Sequence, residues 1–156
     1  MKKSVIVIFC FLSLFLVMIS SCSDKLNQPG FPGFRCNLNG SEYIADTAYY
    51  TRSLGTAIYA YTGSTARFKF YLLANTAGKN ADSIGTYNLD TITNKAYYTD
   101  GVTTYQAISG SLTISQYYND SLGVINGSFN MTARVPGSSG NTIGISDGYF
   151  NSIPKH

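Results

Sequence analysis

Phe34-Arg35-Cys36-Asn37-Leu38-Asn39-Gly40-Ser41-Glu42-Tyr43-Ile44-Ala45 decides the fold, because Asn-Gly is the favoured pair for a two-residue hairpin turn and both flanks alternate with a period of two. The turn sets the register. Leu38 faces Ser41, Cys36 faces Tyr43 and Phe34 faces Ala45, so one face is mostly apolar while Arg35, Asn37 and Glu42 take the other. This places Cys36 toward the core.

The same alternation continues outward. Phe68, Phe70 and Leu72 alternate with Arg67, Lys69 and Tyr71, and Leu112 and Ile114 with Ser111, Thr113 and Ser115; both stretches read as half-buried antiparallel strands. Ile125, Gly127, Phe129, Met131 and Ala133 alternate with Asn126, Ser128, Asn130 and Thr132. A turn at Asn126-Gly127 would interrupt five alternating positions, so one continuous strand is expected, with Gly127 at a bulge or a close contact. Further strands are expected near Ala57 to Tyr61, Gly85 to Leu89, Lys95 to Thr99, Thr103 to Ile108 and Asn141 to Phe150. No segment carries a sustained helical stripe. The pattern predicts an all-β fold, an antiparallel β-sandwich or flattened β-barrel of about 8–10 strands.

The N-terminus reads differently. Lys2 and Lys3 precede a fifteen-residue apolar run, Val5 to Ile19, and then Ser20-Ser21-Cys22. A bilayer-spanning helix needs about 20 apolar residues, so the run is short for a retained span. The arrangement resembles a bacterial lipoprotein signal peptide, cleaved between Ser21 and Cys22 with Cys22 acylated; the alternative is a plain secretory signal followed by an ordinary cysteine. The lipoproteins it resembles carry three acyl chains, and burial of about 0.8 kcal/mol per CH₂ makes two or three a firm anchor. Ser23-Asp24-Lys25 resembles the sorting signals of outer-membrane lipoproteins, which implies an outer-membrane location on the periplasmic or the surface side.

Residues 1–21 are therefore expected to be a signal peptide, 22–33 a lipidated N-terminus and tether, and 34–156 a single β domain. Pro29-Gly30 and Pro32-Gly33 keep the tether irregular, and its reach is at most about 35 Å. The formal charge of +3 includes Lys2 and Lys3; without them nine basic residues face eight acidic ones. The basic residues are spread along the chain rather than clustered, which argues against a nucleic-acid partner. Of three cysteines, Cys10 leaves with the signal and Cys22 is acylated, so Cys36 has no intrachain partner. It reads as a buried thiol, the alternative being a reactive or intermolecular one.

A family resemblance extends from Phe34 to Phe150. Leu38-Asn39-Gly40 followed by Tyr43, Gly85-Thr86-Tyr87-Asn88-Leu89, Gly110-Ser111-Leu112-Thr113-Ile114, Ile125 to Ala133, and Ile145-Ser146-Asp147-Gly148-Tyr149-Phe150 together look like a Bacteroidota lipoprotein domain of unknown function. Tyr43 departs from it, since relatives often carry Trp there. The resemblance implies an all-β extracytoplasmic lipoprotein and no particular activity.

No catalytic residue, metal site or cofactor is expected. The only histidine, His156, is terminal, where disorder is the default, and HExxH, CxxC and P-loop patterns are missing. The one enzyme alternative is carboxylate-based glycoside chemistry using two of Glu42, Asp46, Asp82, Asp90, Asp100, Asp120 and Asp147. A binding module fits better: there are 13 tyrosines and no tryptophan, with doublets at Tyr49-Tyr50, Tyr97-Tyr98 and Tyr117-Tyr118. In a strand, one member of each doublet faces the core and the other the surface. Tyr117 and Tyr118 are the candidate exposed site for a protein or glycan, and Arg67-Lys69-Tyr71 reads as a solvated strand face. Asp46-Thr47-Ala48, Asp82-Ser83-Ile84, Asp90-Thr91-Ile92 and Asp120-Ser121-Leu122 resemble Bacteroidota O-glycosylation sequons, making Thr47, Ser83, Thr91 and Ser121 candidate acceptors; Asx turns give the same pattern. The expected protein is a membrane-anchored, non-catalytic interaction module. A purely structural envelope role is the alternative.

Overall fold

The computed structural model describes residues 33–74, 83–117 and 123–156. These residues form ten strands and no helix: β1 (Gly33–Leu38), β2 (Ser41–Ile44), β3 (Thr47–Arg52), β4 (Thr56–Thr62), β5 (Thr65–Leu72), β6 (Gly85–Asn88), β7 (Lys95–Thr99), β8 (Thr104–Tyr117), β9 (Val124–Arg134) and β10 (Thr142–Pro154). They make one antiparallel sheet in the order β2-β1-β10-β9-β8-β7-β5-β4-β3, with β6 also paired to β8.

The β1–β2 hairpin has the expected register, Leu38 opposite Ser41 and Cys36 opposite Tyr43. Asn39 and Gly40 both have positive φ, 48° and 86°, which matches the strand twist and is why Asn-Gly serves there. At Ala45-Asp46 the chain leaves one edge of the sheet and joins the other: Ala45 N–H donates to Phe34 and Asp46 N–H to Tyr61. A parallel bridge between Tyr50 and Lys155 ties the β3 edge to the end of β10. The sheet is thus curled into a half-barrel whose edges meet, rather than divided into two stacked layers.

Bulges produce the curl. Register shifts occur twice between β9 and β10 and twice between β8 and β9, and each adds local twist. In β10 the shifts coincide with positive φ at Asp147 and Ser152; Asn37 donates to the Asp147 carboxylate, and the Ser152 N–H donates to Asn126 Oδ1. The stretches expected as two strands, Thr103 to Ile108 and Ser111 to Ser115, are one strand, β8. One of its bulges falls at Ile108, between Ala107 and Ser109, and Gly110 (φ 136°) follows two residues on, opposite Met131, where a Cβ would lie 2.3 Å from the Asn130 carbonyl oxygen. The local sequence reads as a break because such a glycine looks like a turn until a partner strand covers it.

Inside the curl, Phe34, Phe68, Phe70 and Phe129 pack with ring centroids 5.0–6.3 Å apart. Cys36 lies among the core residues at 2% exposure as a free thiol, and burial pushes its pKa up to about 12. The folded state therefore favours the neutral thiol. Its contribution to stability is complete below the ordinary thiol value of 9.0 and is lost as pH rises from there toward 12. A thiol reagent at neutral pH is expected to leave the folded protein unmodified and to label Cys36 stoichiometrically in denaturant. Labelling of the folded state at the denatured rate would contradict this packing.

One polar residue organises the loop before β7. The buried Asn94 side chain accepts from Leu73 and Ala74 N–H and donates to the Ala74 and Asn88 carbonyls, at 2.8–3.3 Å. Its hydrogen-bonding capacity is filled, so truncation strands backbone groups away from water. Asn94→Ala is expected to cost about 2 kcal/mol in urea denaturation, and a loss below about 0.5 kcal/mol would mean that solvent reaches those groups.

Candidate functional site

Strand alternation decides which tyrosines reach the surface. In β3, β4, β5 and β7 the inward positions are held by Tyr50, Ile58, Ala60, Phe68, Phe70, Leu72 and Ala96. Their neighbours Tyr49, Tyr59, Lys69, Tyr71, Lys95 and Tyr97 therefore point outward. Cross-strand register then lines up Tyr49 with Tyr59, Tyr59 with Lys69, Lys69 with Tyr97, Tyr97 with Gln106, and Gln106 with Arg134. With strands about 4.8 Å apart, this row crosses six strands and runs roughly 24 Å.

The rings touch along it. Tyr49 lies 5.2 Å from Tyr59 and 5.6 Å from Tyr61, Tyr59 lies 6.1 Å from Tyr71, and Tyr71 lies 6.1 Å from Tyr97, the last two pairs edge-to-face. Tyr49 and Tyr61 share a hydroxyl hydrogen bond of 2.9 Å. That bond, then burial, pushes the Tyr61 phenol up to about 12, and burial raises Tyr59 as well. Both stay neutral, as stacking surfaces should. Beside the row, Arg67, Lys69, Tyr71, Tyr97, Thr99 and Thr104 line a shallow depression of about 350 Å³. Arg67 donates to the Thr99 carbonyl. Two other depressions, over the β8–β9–β10 region, are lined chiefly by Ser, Thr, Asn and Gly and carry no tyrosine.

The candidate residues read from the sequence fall at several places. Tyr117 is half-buried and packs against the core: its hydroxyl shares a 3.0 Å hydrogen bond with Thr56, its ring lies edge-on to Tyr50, and the Arg52 guanidinium sits 4.8 Å from the ring centroid. Burial pushes its phenol up to about 12. Tyr118, Ser121, Ser21 and Cys22 lie outside the described residues, as do Asp82 and Asp120. Thr47 and Thr91 are exposed and Ser83 is half-buried. Asp90 accepts from the Ile92 and Thr93 N–H groups, an Asx turn around Thr91.

His156 departs from the disorder expected of a terminal residue. Its N–H donates to the Tyr50 carbonyl and its ring lies 4.8 Å from Tyr49, because β10 carries the terminus to the edge of β3. Three other described carboxylates also serve the fold. Asp46 accepts from Gly63 N–H, Asp100 from Val102 and Thr103 N–H, which holds the Asp100 carboxyl below its ordinary range, and Asp147 from Asn37.

Tyr59 and Tyr61 are site residues that sequence reasoning passed over. Their period-two spacing within the expected Ala57 to Tyr61 strand was the available signal. Their company was not, because a register shift at Ala60/Tyr61 sets which β5 side chains they meet.

Residues 31–154 match the family described as Domain of unknown function (DUF6252). Neither a curated protein nor a solved structure matches the chain.

Proposed function

Given that the chain belongs to the DUF6252 family, a domain of unknown function, we propose that it is a lipid-anchored extracytoplasmic interaction module that holds a protein or glycan through its outward tyrosine face. The observation that carries this reading is the contact chain Tyr49–Tyr59–Tyr71–Tyr97 on one side of four neighbouring strands. A solvent-side cluster of large rings is costly to keep for solubility alone, and aromatic residues are enriched where partners dock. Asp46, Asp90 and Asp100 are engaged in turns, which supports contact rather than turnover.

Anchoring rests on Lys2-Lys3, the apolar run and Ser20-Ser21-Cys22. In this reading Cys22 is acylated, residues 22–33, the last of which opens β1, form the tether, and the domain stands at the outer membrane of a Bacteroidota-type envelope. Cys22→Ala is expected to move the protein from the membrane fraction to the soluble one; unchanged fractionation would reject lipidation. Intact mass of the native protein tests glycans at Thr47, Ser83, Thr91 and Ser121: lipid mass alone would reject them.

The binding reading is tested with a glycan array and an envelope pull-down, comparing the wild-type chain with a Tyr71→Ala/Tyr97→Ala variant. Loss of signal on an intact fold is expected. Retained binding would move the site elsewhere.

A further inference from the structure

The tyrosine face carries cations between its rings. Lys69 stands opposite both Tyr59 and Tyr97, and Lys95 stands opposite Tyr71. Across β5 and β7 this makes a checkerboard, Lys69 and Tyr71 on one strand against Tyr97 and Lys95 on the other. Arg134 ends the same row, beyond Gln106. No carboxylate stands at any position of the row. Asp100, the nearest acidic residue along β7, lies in the turn beside Arg67 and interacts with it. The cations of Lys69 and Lys95 are thus set among tyrosine rings, and Arg134 lies two strands beyond Tyr97.

We infer that this face binds a carboxylate-bearing polysaccharide laid across β4, β5 and β7, its sugar rings stacked on Tyr59, Tyr71 and Tyr97 and its carboxylates paired with Lys69 and Lys95. This inference rests on the binding reading above and names its ligand. Charge complementarity selects the occupant. A neutral glycan would stack on the tyrosines but leave two lysines desolvated without partners, which costs binding energy. A protein partner is a poorer fit, since lysine is depleted at the centre of protein interfaces and here it occupies the centre of the aromatic patch. A polyuronate presents an apolar ring face and a carboxylate in each repeat, which matches ring and cation alternating across neighbouring strands.

The test is titration of the full chain with polygalacturonate and with the same polymer fully methyl-esterified. Polygalacturonate is expected to bind, and esterification, Lys69→Gln/Lys95→Gln or Tyr97→Ala is each expected to weaken binding by about tenfold or more. Binding should also fall sharply at about 1 M salt, where the screening length is about 3 Å. Equal, salt-insensitive binding of the esterified polymer would overturn the anionic ligand and leave the glycan-binding reading standing. Tighter binding of a single-stranded oligonucleotide than of polygalacturonate would overturn it in favour of a nucleic acid. A Tyr71→Ala/Tyr97→Ala variant that behaves as wild type with every probe would remove both readings.

Discussion

Phe68→Ala is expected to destabilise the domain by about 4 kcal/mol, the largest loss for any single side chain, because a buried phenylalanine truncated to alanine loses its transfer energy and leaves a cavity. Phe68 is fully buried. Its ring meets Phe34 at 5.1 Å, Tyr43 at 5.2 Å, Phe70 at 6.3 Å, Tyr98 at 5.0 Å and Phe129 at 6.0 Å. These partners come from β1, β2, β5, β7 and β9, so one ring joins strands from both sides of the curl. Collapse around the cavity is resisted, since the neighbours are rigid aromatics fixed to different strands. Phe68→Leu keeps most of the volume and is expected to cost about 1.5 kcal/mol. Urea denaturation of the two variants checks this: equal losses would show that ring-on-ring packing at this position contributes little.

Gly127→Val is expected to cost about 3 kcal/mol, by overpacking rather than by a cavity. A Cβ at Gly127 would lie 2.1 Å from the Thr113 carbonyl oxygen and 2.3 Å from Cζ of Phe150. Phe150 stands directly opposite Gly127 across β9 and β10, and Phe129 stands opposite Gly148, where a Cβ would meet its ring at 2.6 Å. Each glycine is roofed by the aromatic ring across from it, an arrangement that lets rings lie flat over a strand otherwise lacking a side chain to pack. Gly127 is not among the positive-φ residues, so the requirement is space rather than backbone conformation. A fall in melting temperature of about 10 °C is expected. A Gly127→Ala variant as stable as wild type would mean the Phe150 ring can swing aside.

Both residues were visible in the sequence in different degrees. Phe68 announced itself through alternation with Arg67 and Lys69, and its inward side follows from period two alone. Gly127 could be read as a bulge or as a close contact, and only the facing Phe150 decides for contact. Cys36 and the β1–β2 register were fixed by Asn39-Gly40, a local signal. β3 was not foreseen, because its outward side carries Tyr49 and an outward tyrosine blurs the apolar alternation. The candidate site shows the same limit. Tyr71 and Lys69 were legible as an outward face, whereas their meeting with Tyr59, Tyr97 and Arg134 depends on pairings between distant segments.

The β4–β5 hairpin shows where local information ends. Counting back from Thr62 opposite Thr65 would set Tyr59 against Phe68, yet a shift after Tyr61 sets Tyr59 against Lys69 and Ala60 against Phe68. The shift satisfies the core: Phe68 must point inward to meet five rings, and the bulge absorbs the extra residue. The sequence by itself determined most of the strands, the inward side of most of them and the first hairpin's register, since each depends on residues close in the chain. The curl, the meeting of the sheet's edges at Ala45-Asp46 and the tyrosine–lysine row were decided by tertiary structure, because bulges are placed by what packs against them and rows are made by strands far apart in sequence.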